Sequence, residues 1–307
     1  MATLYMLIGL PGSGKSFYAK SLSEKTGAII HSSDAIREEL LGSEEDQSES
    51  TKVFELLHCR VKKDLGDGRD VIYDATNINS KRRRAFLQEL IKYDCKKIAI
   101  FIATPYEKCL ERNNTRNRKV PEHVIKRMYM SFNVPCTQEG FDEVRVIYPE
   151  DINFVPTSDI IHKYYKMSQD NPHHTLGIGE HAHAASEIFL KNYLEDFSEA
   201  YNNSILYAAT LMHDMGKPFT KTFVNSKGEE TSIAHYYNHN NVGAYEVFFV
   251  DIPEEMKIDV ALLIQYHMNY FISWKQSSKV ENRDRAFLGE RLSKMLDILH
   301  ACDVAAH

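Results

Sequence analysis

The chain has 307 residues, 43% hydrophobic and 26% charged, a length and composition that allow two domains with separate cores and exclude a fibrous or disordered protein. Its net charge of −6 gives no global field toward nucleic acid, yet the balance is uneven: residues 1–150 carry 24 Lys+Arg and 22 Asp+Glu, residues 151–307 carry 13 and 21, and 11 of the 14 histidines lie in the second part. The five cysteines show no paired spacing and read as reduced thiols, and no apolar run approaches the ~20 residues of a membrane span, so a cytoplasmic protein without a membrane partner is expected.

In chain order, an apolar strand is expected at 4–8, then a helix at 16–25 with Tyr18 and Leu22 on one face. A short strand at 28–31, a helix at 34–41 and a polar, acidic stretch at 42–50 follow, then a helix at 53–65, a turn at 66–68 and a strand at 70–74. A charged helix at 80–93 precedes the nearly all-apolar strand 97–103, as expected where both sheet faces are covered. Strands alternating with helices predict an α/β domain with a doubly wound parallel sheet over residues 1–150. Pro149 and Pro156 bracket a linker, and helical periodicity at 181–194, 205–214, 242–249, 258–267 and 287–305 predicts an all-α domain over 157–307.

Gly9-Leu10-Pro11-Gly12-Ser13-Gly14-Lys15-Ser16 fits G-x-x-x-x-G-K-[ST] at every fixed position, with a strand before it and a helix after it. In such a loop the backbone around Gly12, Ser13 and Gly14 curls round phosphates at a helix N-terminus, Lys15 reaches the β/γ-phosphates and Ser16 holds Mg²⁺. ATP or another NTP with Mg²⁺ is the expected cofactor. The loop does not name the acceptor. Asp34 follows the second strand, where a carboxylate can take a proton from an attacking hydroxyl, and also reads as a helix start. Arg37 lies one turn on. Asp74 ends a strand and reads equally as a turn former. Arg112, Arg116 and Arg118 can form a lid over a phosphoryl group or a solvated face. The run Lys81-Arg82-Arg83-Arg84 reads as basic surface, either a track for a nucleic-acid backbone or a solvated helix face.

These pieces resemble, over residues 1–135, the 5′-hydroxyl polynucleotide kinases of phage and bacterial end-healing enzymes: the phosphate loop, Ser33-Asp34-Ala35-Ile36-Arg37, Asp74-Ala75-Thr76-Asn77, and residues 112–121 continuing to Arg127-Met128-Tyr129. The resemblance implies Asp34 as general base on a polynucleotide 5′-OH, Arg37 holding the acceptor's 3′-phosphate, and Arg112 and Arg116 on the phosphoryl donor, Arg116 as the lid arginine.

In the second half, His213-Asp214 follows an apolar helical run. His181 lies upstream, and His239, His267 and Asp303 lie downstream, each beside an apolar stretch. One such histidine is ordinary core filling, but several buried imidazoles and carboxylates need partners, and a divalent metal satisfies many at once. Residues 165–307 resemble the HD phosphohydrolase superfamily, and in particular the HD domain of bacterial CCA-adding tRNA nucleotidyltransferases, through Asp170-Asn171-Pro172-His173-His174, Gly179-Glu180-His181, the stretch 211–218 around His213-Asp214, the stretch 239–244 and Cys302-Asp303. The resemblance implies that His181, His213, Asp214 and Asp303 ligate one metal, that His239 and His267 add a second with Asp214 bridging, and that Lys217 meets the substrate phosphate. Mixed imidazole and carboxylate ligands suit Mn, Co, Ni or Fe better than Mg. His174 and His235 stay open as neighbours of the site, and His183 is expected to face elsewhere.

Together the two resemblances imply an end-healing enzyme for RNA or DNA, RNA first. One half would phosphorylate 5′-OH ends, and the other would remove 2′,3′-cyclic, 2′ or 3′ phosphates. Sealing would need a separate ligase as partner. The alternative is a small-molecule or nucleoside kinase fused to an HD nucleotide phosphohydrolase.

Overall fold

The computed structural model describes residues 1–116, 118–172, 175–195, 197 and 199–307; Asn117 of the arginine run and His173 and His174 lie outside them. The chain divides into two compact units, Met1–Met128 with Pro135–Ile152, and Tyr129–Val134 with Asn153–His307.

The first unit is built on β1 (Ala2–Ile8), α1 (Lys15–Thr26), β2 (Ile29–Ser32), α2 (Ser33–Leu41), α3 (Ser50–Gly66), β3 (Val71–Asp74), α4 (Ser80–Glu89), β4 (Cys95–Ile102), α5 (Tyr106–Thr115), α6 (Glu122–Met130, whose end passes to the second unit) and β5 (Glu143–Ile147). The strands form one parallel sheet in the order β2-β3-β1-β4-β5. Side chains alternate across a strand, so β1 sends Leu4, Met6 and Ile8 to one face and Tyr5 and Leu7 to the other. Leu7 joins Ile72, Ile98, Ile100, Ile102 and Ala19 of α1 in a buried cluster, with Tyr18 and Leu22 of α1 packed against it. The sheet therefore has apolar strands where both faces are covered. Chain direction across the sheet reverses at β1, and in open α/β sheets ligands bind beyond the strand C-termini at such a switch point.

The second unit is mainly helical: α7 (Thr157–Tyr164), α8 (Ile178–Asn192), α9 (Ala200–Met212), the single turn α10 (Lys217–Thr220), α11 (His239–Glu246), α12 (Glu254–Tyr266), the single turn α13 (Ser273–Gln276) and α14 (Ser278–Ala305), kinked at Gly289. A hairpin of β6 (Thr222–Val224) and β7 (Glu230–His235) modifies the all-α expectation. Its core is formed by Ala185 and Phe189 of α8, Leu206 and Ala209 of α9, Leu263 and Ile264 of α12, and Leu292, Met295 and Leu299 of α14. Residues 129–134 belong to this unit: Tyr129 donates to Glu246 at 2.6 Å, Phe132 meets Tyr245 edge-on, and the Val134 amide donates to Gln265. Among the described residues no helix is long and apolar enough to cross a membrane, and the five cysteines form no disulfide.

Two expectations change. The helix expected over 80–93 ends at Glu89. Within the basic run, Arg83 is no surface residue: it is 2% exposed and makes a two-pronged pair with buried Glu139, Nε to Oε2 at 2.6 Å and Nη2 to Oε1 at 2.5 Å, while Nη1 donates to the Asn77 carbonyl. A helix-face charge is buried there because a fixed carboxylate faces it.

Candidate active sites

The phosphate loop runs from the end of β1 to the first turn of α1. Gly12 and Gly14 adopt φ of 83° and 100°, and a Cβ on Gly12 would stand 2.3 Å from the Cys109 carbonyl oxygen, so only glycine lets the loop pass α5 this closely. Lys15 Nζ donates to the Leu10 carbonyl at 2.7 Å and lies 3.4 Å from Ser13 Oγ. Burial lowers its pKa, with Asp74 opposing. The Ser13 carbonyl accepts from Thr104 Oγ1 at 2.9 Å and from Arg112 at 3.4 Å, which sets Arg112 over the loop. Ser16 Oγ donates to Asp74 Oδ2 at 2.9 Å. Asp74 is 4% exposed, and its pKa is raised by burial against the pull of Lys15 and Ser16. A carboxylate beside the loop hydroxyl is the chemistry of a Mg²⁺ site. The segment after Asp74 is tied to β1: Thr76 O accepts from the Gly9 amide, and Asn77, at φ 46°, donates from its side chain to the Leu7 carbonyl.

Ser32 is paired in register with Asp74, so α2 starts at the same sheet edge. The Ser32 hydroxyl accepts from the Asp34 and Ala35 amides and caps α2. Asp34 Oδ1 accepts from Arg37 at 2.7 Å, and Oδ2 lies 2.9 Å from Arg118, which also meets Glu44 Oε2 at 3.2 Å. Arg37 is 5% exposed; its second contact is the Glu44 carbonyl, and its Nε has no hydrogen-bond partner among the described residues. Arg116 is exposed at the end of α5, with its charge acting on both Lys15 and Asp74. The structure thus brings Lys15, Ser16 and Arg112 together at the loop and sets Asp34 with Arg37 beside them. Arg118 touches Asp34.

In the second unit, six side chains converge on one buried spot from five elements. His181 stands on α8, His213 and Asp214 follow the last turn of α9, His239 begins α11, His267 follows α12, and Asp303 ends α14. They form two groups of three, His181–His213–Asp303 and Asp214–His239–His267. His181 Nε2 lies 3.2 Å from His213 Nε2 and 3.0 Å from Asp303 Oδ1. Asp214 serves both groups: Oδ2 lies 3.5 Å from His213 and 3.8 Å from His181, and Oδ1 lies 3.3 Å from His239 and 3.9 Å from His267.

The donor chemistry fits cations. His213, His239 and His267 each donate from Nδ1 to the carbonyl three residues back, those of Thr210, Tyr236 and Ile264, at 2.8, 2.8 and 2.6 Å. A carbonyl only accepts, so each Nδ1 carries the proton and each Nε2 turns inward. In the first group a proton can stand in for an ion: burial opposes it, but Asp214 and Asp303 prevail and push the His213 pKa up to about 10. In the second group burial and the neighbouring histidines push the His267 pKa down to about 3, so its Nε2 offers a lone pair 3.3 Å from His239 Nε2 and beside the Asp214 carboxylate. Asp214 is held far below the usual carboxylate range by Lys217 and His213 despite its burial. Lys217 Nζ sits 2.6 Å from Asp214 Oδ2 and donates to Gln169 Oε1 at 2.7 Å.

His235 lies outside both groups, stacked on Tyr237 with ring centroids 5.4 Å apart, and His183 is exposed. The sequence reading does not single out Glu44, Gln169 or His307, and it names Asp74 without its contact with the loop serine. The His307 ring lies 4.7 Å from that of His181, and its Nε2 lies 3.7 Å from Asp303. Only Asp74 had a readable signal, an acid closing a strand beside the phosphate loop.

A parallel sheet with a phosphate loop at its switch point, followed by a helical unit with paired His/Asp clusters, defines a kinase domain joined to a metal-dependent phosphohydrolase domain. In agreement, residues 4–135 match the family described as the AAA domain and residues 173–304 match the HD domain. Among characterised proteins, the chain is 29% identical to an L-seryl-tRNA(Sec) kinase of Methanococcus maripaludis over 174 residues, 54% of this chain and 66%, just under two thirds, of that relative. Solved structures similar to it include a candidate kinase from Chloroflexus aurantiacus J-10-fl (15% identity, 50% of this chain and 92% of that one, TM-score 0.42). Another is a sugar kinase from Janibacter sp. HTCC2649 (15% identity, 48% and 86%, TM-score 0.38).

Proposed function

We propose that the protein heals broken nucleic-acid ends, RNA first, by phosphorylating 5′-OH ends and removing 2′,3′-cyclic, 2′ or 3′ phosphates. The observation that carries this reading is the Asp34 carboxylate held between Arg37 and Arg118 at the sheet edge beside the phosphate loop. A base flanked by two guanidiniums suits an acceptor that is itself a phosphate ester, and a neutral sugar or nucleoside has no use for them.

In the kinase step the 5′ oxygen bonds to the γ-phosphorus of the NTP, the bond to the β-phosphate oxygen breaks, and Asp34 takes the hydroxyl proton. Oδ2 must exchange its contact with Arg118 for the acceptor hydroxyl, while Arg37 holds Oδ1 and an acceptor phosphate. Lys15, Arg112 and Arg116 neutralise the transferring group. Ser16 and Asp74 would hold the Mg²⁺, which shields the phosphate oxygens when bound.

In the second unit His181, His213, Asp214 and Asp303 would hold one divalent ion, and His239 and His267 with Asp214 a second. Two bound ions polarise a phosphoryl group and supply hydroxide near neutral pH. Lys217 would bind a substrate phosphate oxygen in exchange for part of its contact with Asp214. The combination has a chemical logic: many ribonucleases leave 5′-OH and 2′,3′-cyclic phosphate ends, and a ligase that needs 5′-phosphate and 3′-OH can use neither.

A second reading takes the acceptor hydroxyl from an aminoacyl-tRNA, on the strength of the relative named as an L-seryl-tRNA(Sec) kinase. One assay separates the readings. An RNA oligonucleotide with a 5′-OH and a 2′,3′-cyclic phosphate, given ATP and Mg²⁺ or Mn²⁺, should gain a 5′-phosphate and lose its 3′-end phosphate. NTP turnover with seryl-tRNA or with a mononucleoside, and none with the oligonucleotide, would overturn end healing.

A further inference from the structure

The chain between Lys217 and His239 carries an unusual density of exposed apolar side chains, three of them rings. Of 18 exposed large hydrophobic side chains among the described residues, five fall within residues 219–237: Phe219, Phe223, Val224, Ile233 and Tyr237. That stretch joins Lys217 to His239, so the hairpin is rooted in the site at both ends.

Phe219 is the more informative of these. It lies on α10 two residues beyond Lys217, is 43% exposed, and meets the ring of Tyr164 edge-on at 6.3 Å. Tyr164 belongs to the run Lys163-Tyr164-Tyr165-Lys166, locally basic in an acidic half of the chain. Lys163 Nζ stands 5.2 Å from the Tyr164 ring centroid and Lys221 Nζ 5.9 Å from that of Phe223, although Lys221 is also paired with Asp170. Residues 162–167 line an open cleft of about 590 Å³.

This run is fixed to a ligand-bearing helix. The Glu180 amide donates to the Tyr165 carbonyl at 3.1 Å and the Ile178 amide to the Met167 carbonyl at 3.0 Å. A Cβ on Gly177 or Gly179 would stand 2.5 Å from Tyr165 backbone atoms, so both glycines let the segment lie directly on the first turn of α8. His181 follows on that helix. The aromatic and basic groups are thus anchored on one side to the element carrying His181 and on the other to the turn carrying Lys217.

We infer that Tyr164 and Phe219, with Lys163 and Lys166, form a track for single-stranded nucleic acid that receives the nucleotides preceding a terminal phosphate held at Lys217. Phe219 is exposed and Tyr164 half-buried; solvent-accessible ring faces accept bases by stacking whatever the sequence, and interleaved ammonium groups follow the backbone phosphates. The positive charge of the run selects a polyanionic strand as occupant, and Phe219 follows Lys217 on the same short turn. The inference rests on the end-healing reading and specifies its substrate as a strand rather than a mononucleotide.

The test uses the full chain with Mn²⁺ and compares a 5′-phosphorylated, 3′-phosphorylated hexanucleotide, on which the kinase is silent, with a nucleoside 3′-monophosphate. The wild-type KM is expected about tenfold lower for the hexanucleotide. In Tyr164→Ala/Phe219→Ala the hexanucleotide KM should rise about tenfold and its advantage should vanish, with metal content retained. Tyr164→Phe, which keeps the ring, should behave as wild type. Equal KM values for both substrates in the wild type, or an unchanged hexanucleotide KM in the double variant, overturn the track and leave the phosphohydrolase reading standing. Hydrolysis of p-nitrophenyl phosphate with neither nucleotide substrate cleaved overturns both.

Discussion

Asp214 is the residue on which the second site turns, because its two oxygens diverge toward different histidine groups. Its neighbour His213 is held by a carbonyl of α9, and Lys217 returns to Asp214 after one turn. Between them stands Gly216. A Cβ there would lie 1.9 Å from the His239 carbonyl oxygen and 2.6 Å from the Gly243 amide nitrogen, both backbone atoms of α11. Neither can yield without moving the helix. Gly216→Ala is therefore expected to push His239 away from Asp214, destabilise the second unit by about 1–3 kcal/mol as overpacking does, and lower the metal the second unit retains. Metal analysis of the purified variant beside its thermal melt checks this. Wild-type metal content with a wild-type melt would show that α11 can retreat intact.

At the scale of elements, the Arg83–Glu139 pair joins α4 to the single turn Thr137–Glu139, and both side chains are essentially excluded from solvent. Removing one partner of such a pair leaves an unpaired buried charge, a cost of about 3–5 kcal/mol, whereas replacing both by apolar groups is often nearly neutral. Arg83→Leu should lower the chemical-denaturation midpoint severely, and Arg83→Met/Glu139→Leu should recover most of the loss. Equal destabilisation by both would mean that the Arg83 contact with the Asn77 carbonyl carries the effect. The pair also marks where sequence reading runs out. Strands β1, β3 and β4 were readable because burial on both faces requires an apolar run. β5, Glu-Val-Arg-Val-Ile, is an edge strand of half-buried residues with charges paired along the surface, and has no such run. The β6–β7 hairpin is short, mostly exposed and irregular in register, and turns at Gly228, φ 83°, so periodicity over a window finds nothing. The same division holds at the sites. Groups within one motif, the phosphate loop and His213-Asp214, announce themselves by spacing. Contacts such as Ser16 with Asp74 or Arg118 with Glu44 join residues 58 and 74 positions apart, and only the assembled sheet edge reveals them.

At the scale of the whole molecule, each compact unit has its own apolar core and contains every side chain of its own candidate site. The kinase groups Lys15, Asp34, Arg37, Asp74, Arg112, Arg116 and Arg118 all lie within residues 1–128, and all six clustered His and Asp residues lie beyond 153. No residue is shared, so the two activities should be separable by single substitutions. Asp34→Ala removes a partly exposed carboxylate from the edge of its unit and should abolish 5′ phosphorylation while leaving phosphate removal within about twofold of wild type. Asp214→Ala removes the bridge between the two histidine groups and leaves Lys217 without its carboxylate. It should abolish phosphate removal and metal retention in the second unit while sparing the kinase. Each variant, checked for folding by circular dichroism, is assayed at both ends of the same RNA oligonucleotide. Loss of both activities in either folded variant would overturn separate sites and require that one unit complete the chemistry of the other.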